Sequence, residues 1–184
     1  MINVYLARHA QAASSWHESR DPGLSDLGRD QARTLANDVA RFDGPLPVIS
    51  SPLQRARETA APLAHRWETE PVIEPRIAEI PSPGLSLEER GPWLLRLFEC
   101  RWPELDPHLH DWRAEALDAI RACRGDTVLV SHAVLINAVV GALTGDDRVL
   151  VFRPDYCSVT HIEVLPDGTM KLAEKGLEAR TRIR

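Results

Sequence analysis

The sequence predicts a three-layer α/β/α sandwich around a mostly parallel β-sheet that ends in a C-terminal hairpin. Three observations carry this expectation. Short apolar runs rich in β-branched residues alternate with longer segments of helical periodicity. Two of those runs, VYLARHAQ from Val4 and VLVSHAVL from Val128, each stop at a histidine followed by alanine. The last third of the chain alternates polar and apolar residues on both sides of Pro166-Asp167-Gly168, a hairpin signal. The 184 residues suffice to bury a core without disulfides or a structural metal, so one domain over 1–184 is expected.

Residues 2–7 read as a central strand. After a turn at Asp21 to Gly23, residues 25–42 read as a helix, with Leu27, Ala32, Leu35, Ala36 and Val39 on its apolar face and Asp26 and Asp30 near its start. Pro45 and Pro47 lead into a short strand at 48–50. Ser51 then reads as an N-cap, Pro52 as the first helical residue and Gln54 as the partner in a capping box, which puts Arg55 in the first turn of a helix, just past a strand end. A helix N-terminus in that position favours an anion. A third extended piece at 72–74 leads to Arg76 and Glu79. The Pro- and Trp-rich segment 80–111 holds a helix at 87–100, and a further helix spans 111–123. Gly125-Asp126 turns into a strand at 127–131. After His132 the chain is apolar on every face through Leu143, which predicts a helix buried in the centre. Strands at 158–165 and 170–175 close the chain. In open α/β sheets ligands bind beyond the carboxyl ends of strands where the strand order switches, so His9 and His132 are expected to share one mouth.

Composition excludes several classes. A net charge of −5 leaves no nucleic-acid footprint. Arg supplies 20 of the 22 basic residues, with Lys only at 171 and 175, so arginines are argued from position and not from number. Cys100, Cys123 and Cys157 are an odd count at wide spacing, which suits thiols in a reducing cytoplasm. No arginine follows any of them at the sixth position, so a Cys-x5-Arg phosphate loop is absent. The start MINVYLAR lacks the features of a signal peptide, and the longest apolar region is broken by Ser131, His132 and Asn137, so neither export nor a membrane partner is expected.

Four motifs in register then point to a family. Leu6-Ala7-Arg8-His9-Ala10-Gln11, LSDLGRDQA from Leu24, SSPLQRARETA from Ser50 and VSHAVL from Val130 resemble, in order, the histidine phosphatase superfamily, the phosphoglycerate-mutase-like proteins. A late Tyr-Cys-Ser-Val-Thr stretch also fits its pattern. Ala stands where the family has Gly after both histidines, which asks the backbone there to avoid positive φ. Glu79 is followed by Ile-Pro-Ser-Pro, where the family often has Gly-x-Trp-Glu-Gly.

The resemblance, together with the adjacent Arg8, makes His9 the nucleophile, since a neutral imidazole can attack phosphorus and form a phosphohistidine. Arg8 and Arg55 would grip the phosphoryl oxygens, because a guanidinium presents paired donors to an oxyanion. His132 would donate as well, and Glu79 would protonate the leaving group, with Asp106 and Asp111 as alternatives. Gln11, Ser14, Ser15 and Ala133 flank the histidines and are candidate substrate contacts. Arg57 falls on another face of its helix and reads as a solvated charge. His17, His65 and His161 read as surface or packing residues. The arginines supply the charge, so no metal or other cofactor is expected. His108-Leu109-His110-Asp111 imitates a metallohydrolase motif with its Asp one place early. The expected activity is a cytoplasmic, metal-independent phosphatase acting on a small phosphorylated substrate or a phosphoprotein. A phosphoglycerate-mutase-type isomerase and a non-catalytic phosphoryl-binding module are the alternatives. Segment 80–111 would cover the site, with Trp93, Phe98 and Trp102 available to line a pocket or to pack.

Overall fold

A computed structural model of the chain describes residues 1–15, 18–38, 42 and 44–179. Its sheet has six strands in the order β3-β2-β4-β1-β5-β6. They are β1 (Ile2–Arg8), β2 (Val48–Ser50), β3 (Val72–Ile73), β4 (Thr127–Ser131), β5 (Val159–Val164) and β6 (Met170–Glu174). The first four pair in parallel, and β5 and β6 add an antiparallel hairpin beside β1. The expected mixed sheet is the observed one.

Period-two alternation sorts the strands between two cores. On one face Val4 and Leu6 of β1 and Leu129 of β4 pack against helices α3 (Leu87–Leu97), α4 (Pro107–Arg121) and α5 (Ala133–Thr144). On the other, Ala7, Val48, Val128 and Val130 pack against α1 (Asp26–Asn37) and α2 (Gln54–Arg66). The small residues Ala56, Ala60 and Ala64 sit with Leu63 on the buried face of α2. Helix α5 is buried along its first nine residues, as its all-round apolar sequence requires.

Several expected boundaries move. Helix α1 starts as expected, with Ser25 accepting from the Gly28 N–H, but ends at Asn37 and does not reach 42. Its buried face is Gly28, Ala32, Leu35 and Ala36, which turns Leu27 outward at 55% exposure; Val39 lies outside the described residues. Ser51 is not an N-cap. Helix α2 begins at Gln54, its N-cap residue is Leu53, and no side chain of that residue caps it. The Ser51 hydroxyl is taken by His132, and the Gln54 N–H instead donates to Asp21 Oδ1 at 2.7 Å, so the cap comes from a distant loop. Helix α3 stops at Leu97, three residues early, while α4 starts at Pro107, four early, because Pro fits the first helical turn.

The connection after β1 runs to β2 on one side, and the connection after β4 runs to β5 on the other. Adjacent β1 and β4 therefore form the switch point, and register places Arg8 opposite Ser131. The residues that follow, His9 and His132, emerge side by side.

Candidate active site

His9 and His132 leave their strands with ring centroids 5.1 Å apart. The pairing is fixed by the backbone, since the His9 N–H donates to the Ser131 carbonyl at 2.8 Å. Ala10 and Ala133 follow without positive φ, as expected of Ala. The His9 Nδ1 lies 2.7 Å from the Ala10 carbonyl oxygen. A carbonyl only accepts, so Nδ1 carries the hydrogen and Nε2 of the neutral ring keeps the lone pair. Arg55 Nε donates to that Nε2 at 3.2 Å. Burial holds the His9 pKa well below 6.5, and the Arg55 and Arg8 charges push it further down, so the ring is neutral at physiological pH.

Arg8 and Arg55 are both buried. Burial lowers both guanidinium pKa values, offset in part by Tyr156 and Glu79 near each; from an ordinary value of 12.5, both stay charged. Arg8 Nη1 donates to the Pro154 carbonyl at 2.8 Å, while its Nε is buried without a hydrogen-bond partner among the described residues.

Glu79 follows the short 3-10 turn Pro75–Ile77 beyond β3 and is buried. Its Oε2 stands 3.7 Å from Arg55 Nη2 and 3.5 Å from His132 Nδ1. Both separations are too long for good hydrogen bonds, so burial outweighs the Arg55 charge and the carboxyl pKa is raised. His132 is fully buried, and burial first, then Arg55, keeps its ring neutral. Its Nε2 is 2.7 Å from Ser51 Oγ, and Ser51 Oγ accepts from the Leu53 N–H. The tautomer that satisfies this chain has the Ser51 hydroxyl donating to Nε2 and the Nδ1 hydrogen facing Oε2 of Glu79.

A cavity of about 800 Å³ opens over these groups and is lined by Arg8, His9, Gln11, Ser14, Ser15, Arg55, Glu79 and Ala133, so seven of the expected site residues besides His9 meet there. His132 sits behind His9 and contributes no wall. Gln11 is partly engaged, with Oε1 accepting from Ser25 Oγ. Of segment 80–111 only Phe98 lines the cavity, while Trp102 is buried in the core and Trp93 packs against it. Arg57, Asp106 and Asp111 are exposed and line none of it. His108 and His110 are exposed on α4, and no group of three or more potential metal ligands occurs among the described residues. His65 is exposed, His161 stacks on Tyr5 with centroids 4.8 Å apart, and His17 lies outside the described residues.

Three contributors were not expected from sequence. From the sequence Ser51 reads as a cap, Asp21 as part of a turn, and Tyr156 has no role. Asp21 Oδ1 sits 4.0 Å from Arg55 Nη1 as well as on the helix N-terminus. For Tyr156 the available signal was its place at the head of the Tyr-Cys-Ser-Val-Thr stretch.

Two buried guanidinium groups flanking an imidazole lone pair suit a tetrahedral oxyanion, and this defines the class: an α/β protein with an anion cup at its sheet switch point. The chain belongs to the histidine phosphatase superfamily (branch 1), whose family model matches residues 4–174. Phosphoserine phosphatase 1 of Hydrogenobacter thermophilus is 33% identical over 94% of this chain and 92% of its own. The probable phosphoglycerate mutase GpmB of Photorhabdus laumondii is 32% identical over 79% and 76%. Among solved structures, a mycobacterial glucosyl-3-phosphoglycerate phosphatase matches with a TM-score of 0.76 at 22% identity, over 95% of this chain and 98% of that one. Bacillus stearothermophilus YhfR matches at 0.74 and 23%, over 95% and 96%. At those identities the two structures speak for the fold. No helix among the described residues is long and apolar enough to cross a membrane.

Proposed function

We propose that the protein is a metal-independent phosphatase that hydrolyses phosphate monoesters through a phosphohistidine on His9. One observation carries the reading: the His9 ring is held neutral, with its Nδ1 hydrogen committed to Ala10 and its Nε2 lone pair turned toward Arg55. In the first step Nε2 attacks phosphorus, the bond from phosphorus to the ester oxygen breaks, and Glu79 gives its proton to the leaving oxygen. In the second, the Glu79 carboxylate takes a proton from water as that water attacks phosphorus, and the phosphorus–nitrogen bond breaks to release phosphate. Arg8 and Arg55 neutralise charge on the transferring oxygens, while His132 stands behind His9 with its Nδ1 hydrogen facing Glu79. The raised Glu79 pKa suits a group that must start protonated. Segment 80–111 covers one side of the mouth through Phe98.

Phosphate release from an aryl phosphate, with trapping of an acid-labile, base-stable phosphoenzyme, tests the reading. A protein that turns over without a phosphoenzyme, or that keeps its activity in His9→Ala, would falsify it; a chelator should leave the rate unchanged. The 32% identity to a protein named a probable phosphoglycerate mutase favours isomerisation as the second reading. Incubation with 3-phosphoglycerate separates the two, because a phosphatase yields inorganic phosphate and a mutase yields 2-phosphoglycerate.

A further inference from the structure

Tyr156 has no part in the chemistry above, yet the fold goes to some length to place it. Its ring lies under the Arg8 guanidinium, with Cζ 4.0 Å from the ring centroid, and its centroid is 6.2 Å from that of His9. It lines the same cavity as His9. The turn that carries it is tied to Arg8 three times over. Arg8 Nη1 donates to the Pro154 carbonyl, Arg8 N to the Ser158 carbonyl at 3.0 Å, and Cys157 N to the Arg8 carbonyl at 3.1 Å.

Cys157, the next residue, has φ 55°, one of two positive values at non-glycine positions among the described residues. A side-chain-bearing residue held in the left-handed region marks a backbone whose conformation is imposed by its surroundings, and such positions gather at binding sites. Here the bend lies between the cavity-lining Tyr156 and Ser158, whose carbonyl already pairs with Arg8. Tyr156 shares the cavity wall with both Arg8 and Arg55. A phenol hydroxyl beside a guanidinium group can accept from the cation and still donate to an oxyanion. A carboxylate in its place would compete with substrate, and an aliphatic residue would leave Arg8 without its stacked partner.

We propose that Tyr156 is a ligand of the transferring phosphoryl group, donating its hydroxyl to a phosphoryl oxygen while its ring holds the Arg8 guanidinium in place; this rests on the phosphatase reading above. The test compares Tyr156→Phe and Tyr156→Ala with the unaltered protein in three measurements: kcat/KM on an aryl phosphate, inhibition by orthovanadate, and Tm with and without inorganic phosphate. Tyr156→Phe is expected to lose about tenfold in kcat/KM and in vanadate affinity, the scale of one hydrogen bond to a charged group. Its Tm without anion should match that of the unaltered protein, and its phosphate-induced rise should shrink. Tyr156→Ala should lose more in both kinetic measures, because Arg8 is also unstacked. Tyr156→Phe with unaltered kinetics and an unaltered phosphate-induced rise overturns the proposal. So does a kinetic loss that accompanies a lower anion-free Tm with the phosphate-induced rise intact, which is the signature of a purely structural role. Unaltered protein that neither turns over nor binds vanadate overturns the phosphatase reading itself, a result distinct from either.

Discussion

At the scale of single residues, the site works by denying water to its ionisable groups. Burial is the largest influence on His9, His132 and Glu79 alike, and in each it disfavours the charged form. A neutral imidazole and a protonated carboxyl are the forms that attack on phosphorus and protonation of a leaving oxygen call for. His9→Ala should lower turnover by three orders of magnitude or more, about the scale for removing a nucleophile, whereas Arg57→Ala, an exposed change, should stay within about twofold; steady-state kinetics on one aryl phosphate compares them. In the proposed mechanism Glu79 acts first as an acid, so kcat/KM should fall on the alkaline side as the carboxyl ionises above its ordinary range. Glu79→Gln should lower the rate and flatten that limb. An alkaline limb unchanged in Glu79→Gln would assign the proton to another group.

Among the elements, the close contact between α1 and the loop after β1 governs the position of His9. The Gly28 position has no room for a side chain, since a Cβ there would stand 2.0 Å from the Gln11 carbonyl oxygen. That carbonyl also accepts from the Ser25 N–H at 3.0 Å, so the helix start and the residue two places after His9 are locked together. Gly28→Ala gains up to about 1 kcal/mol in helix propensity, but the overlap with backbone costs more, about 1–3 kcal/mol. The variant should melt lower and lose activity despite its distance from the chemistry, and calorimetry with a parallel assay would show it. A variant with raised Tm would mean that α1 can retreat without moving the loop. The Asp21 carboxylate plays a similar coupling part for α2, capping its first N–H while standing beside Arg55.

Over the whole molecule, burying two imidazoles makes stability depend on pH. Their folded-state pKa values lie below the unfolded 6.5, so below that pH the unfolded chain binds protons that the folded one refuses. Stability should therefore fall as pH drops from 7.5 toward 5, by at most about 2.7 kcal/mol per pH unit from the pair. Glu79 acts with the opposite sign, since its raised pKa favours the folded state as pH falls, but one carboxyl offsets at most one of the two histidines. Urea midpoints across that range measure the slope, and a flat or inverted profile would mean that the rings take up protons in the folded state.

Much of this was legible in the sequence because its signals are local. The alternation of strands with helical periods, the apolar helix after His132 and the hairpin around Gly168 depend on short-range spacing, and they fold as read. Arg8, His9 and Arg55 were identifiable because the motifs that resemble the family's place them at a strand end or helix start, and Glu79 because the family has a Glu at the matching point. Ser51, Asp21 and Tyr156 were not, since their partners stand far away along the chain, 81 residues in the case of Ser51 and His132. Sequence spacing chose the residue types and the strands they follow. Strand order and packing chose which hydroxyl completes which imidazole, which carboxylate caps which helix, and that the neighbouring carboxyl of Glu79 and imidazole of His132 both lose their water, because desolvation and hydrogen-bond partnership are set by neighbours in space.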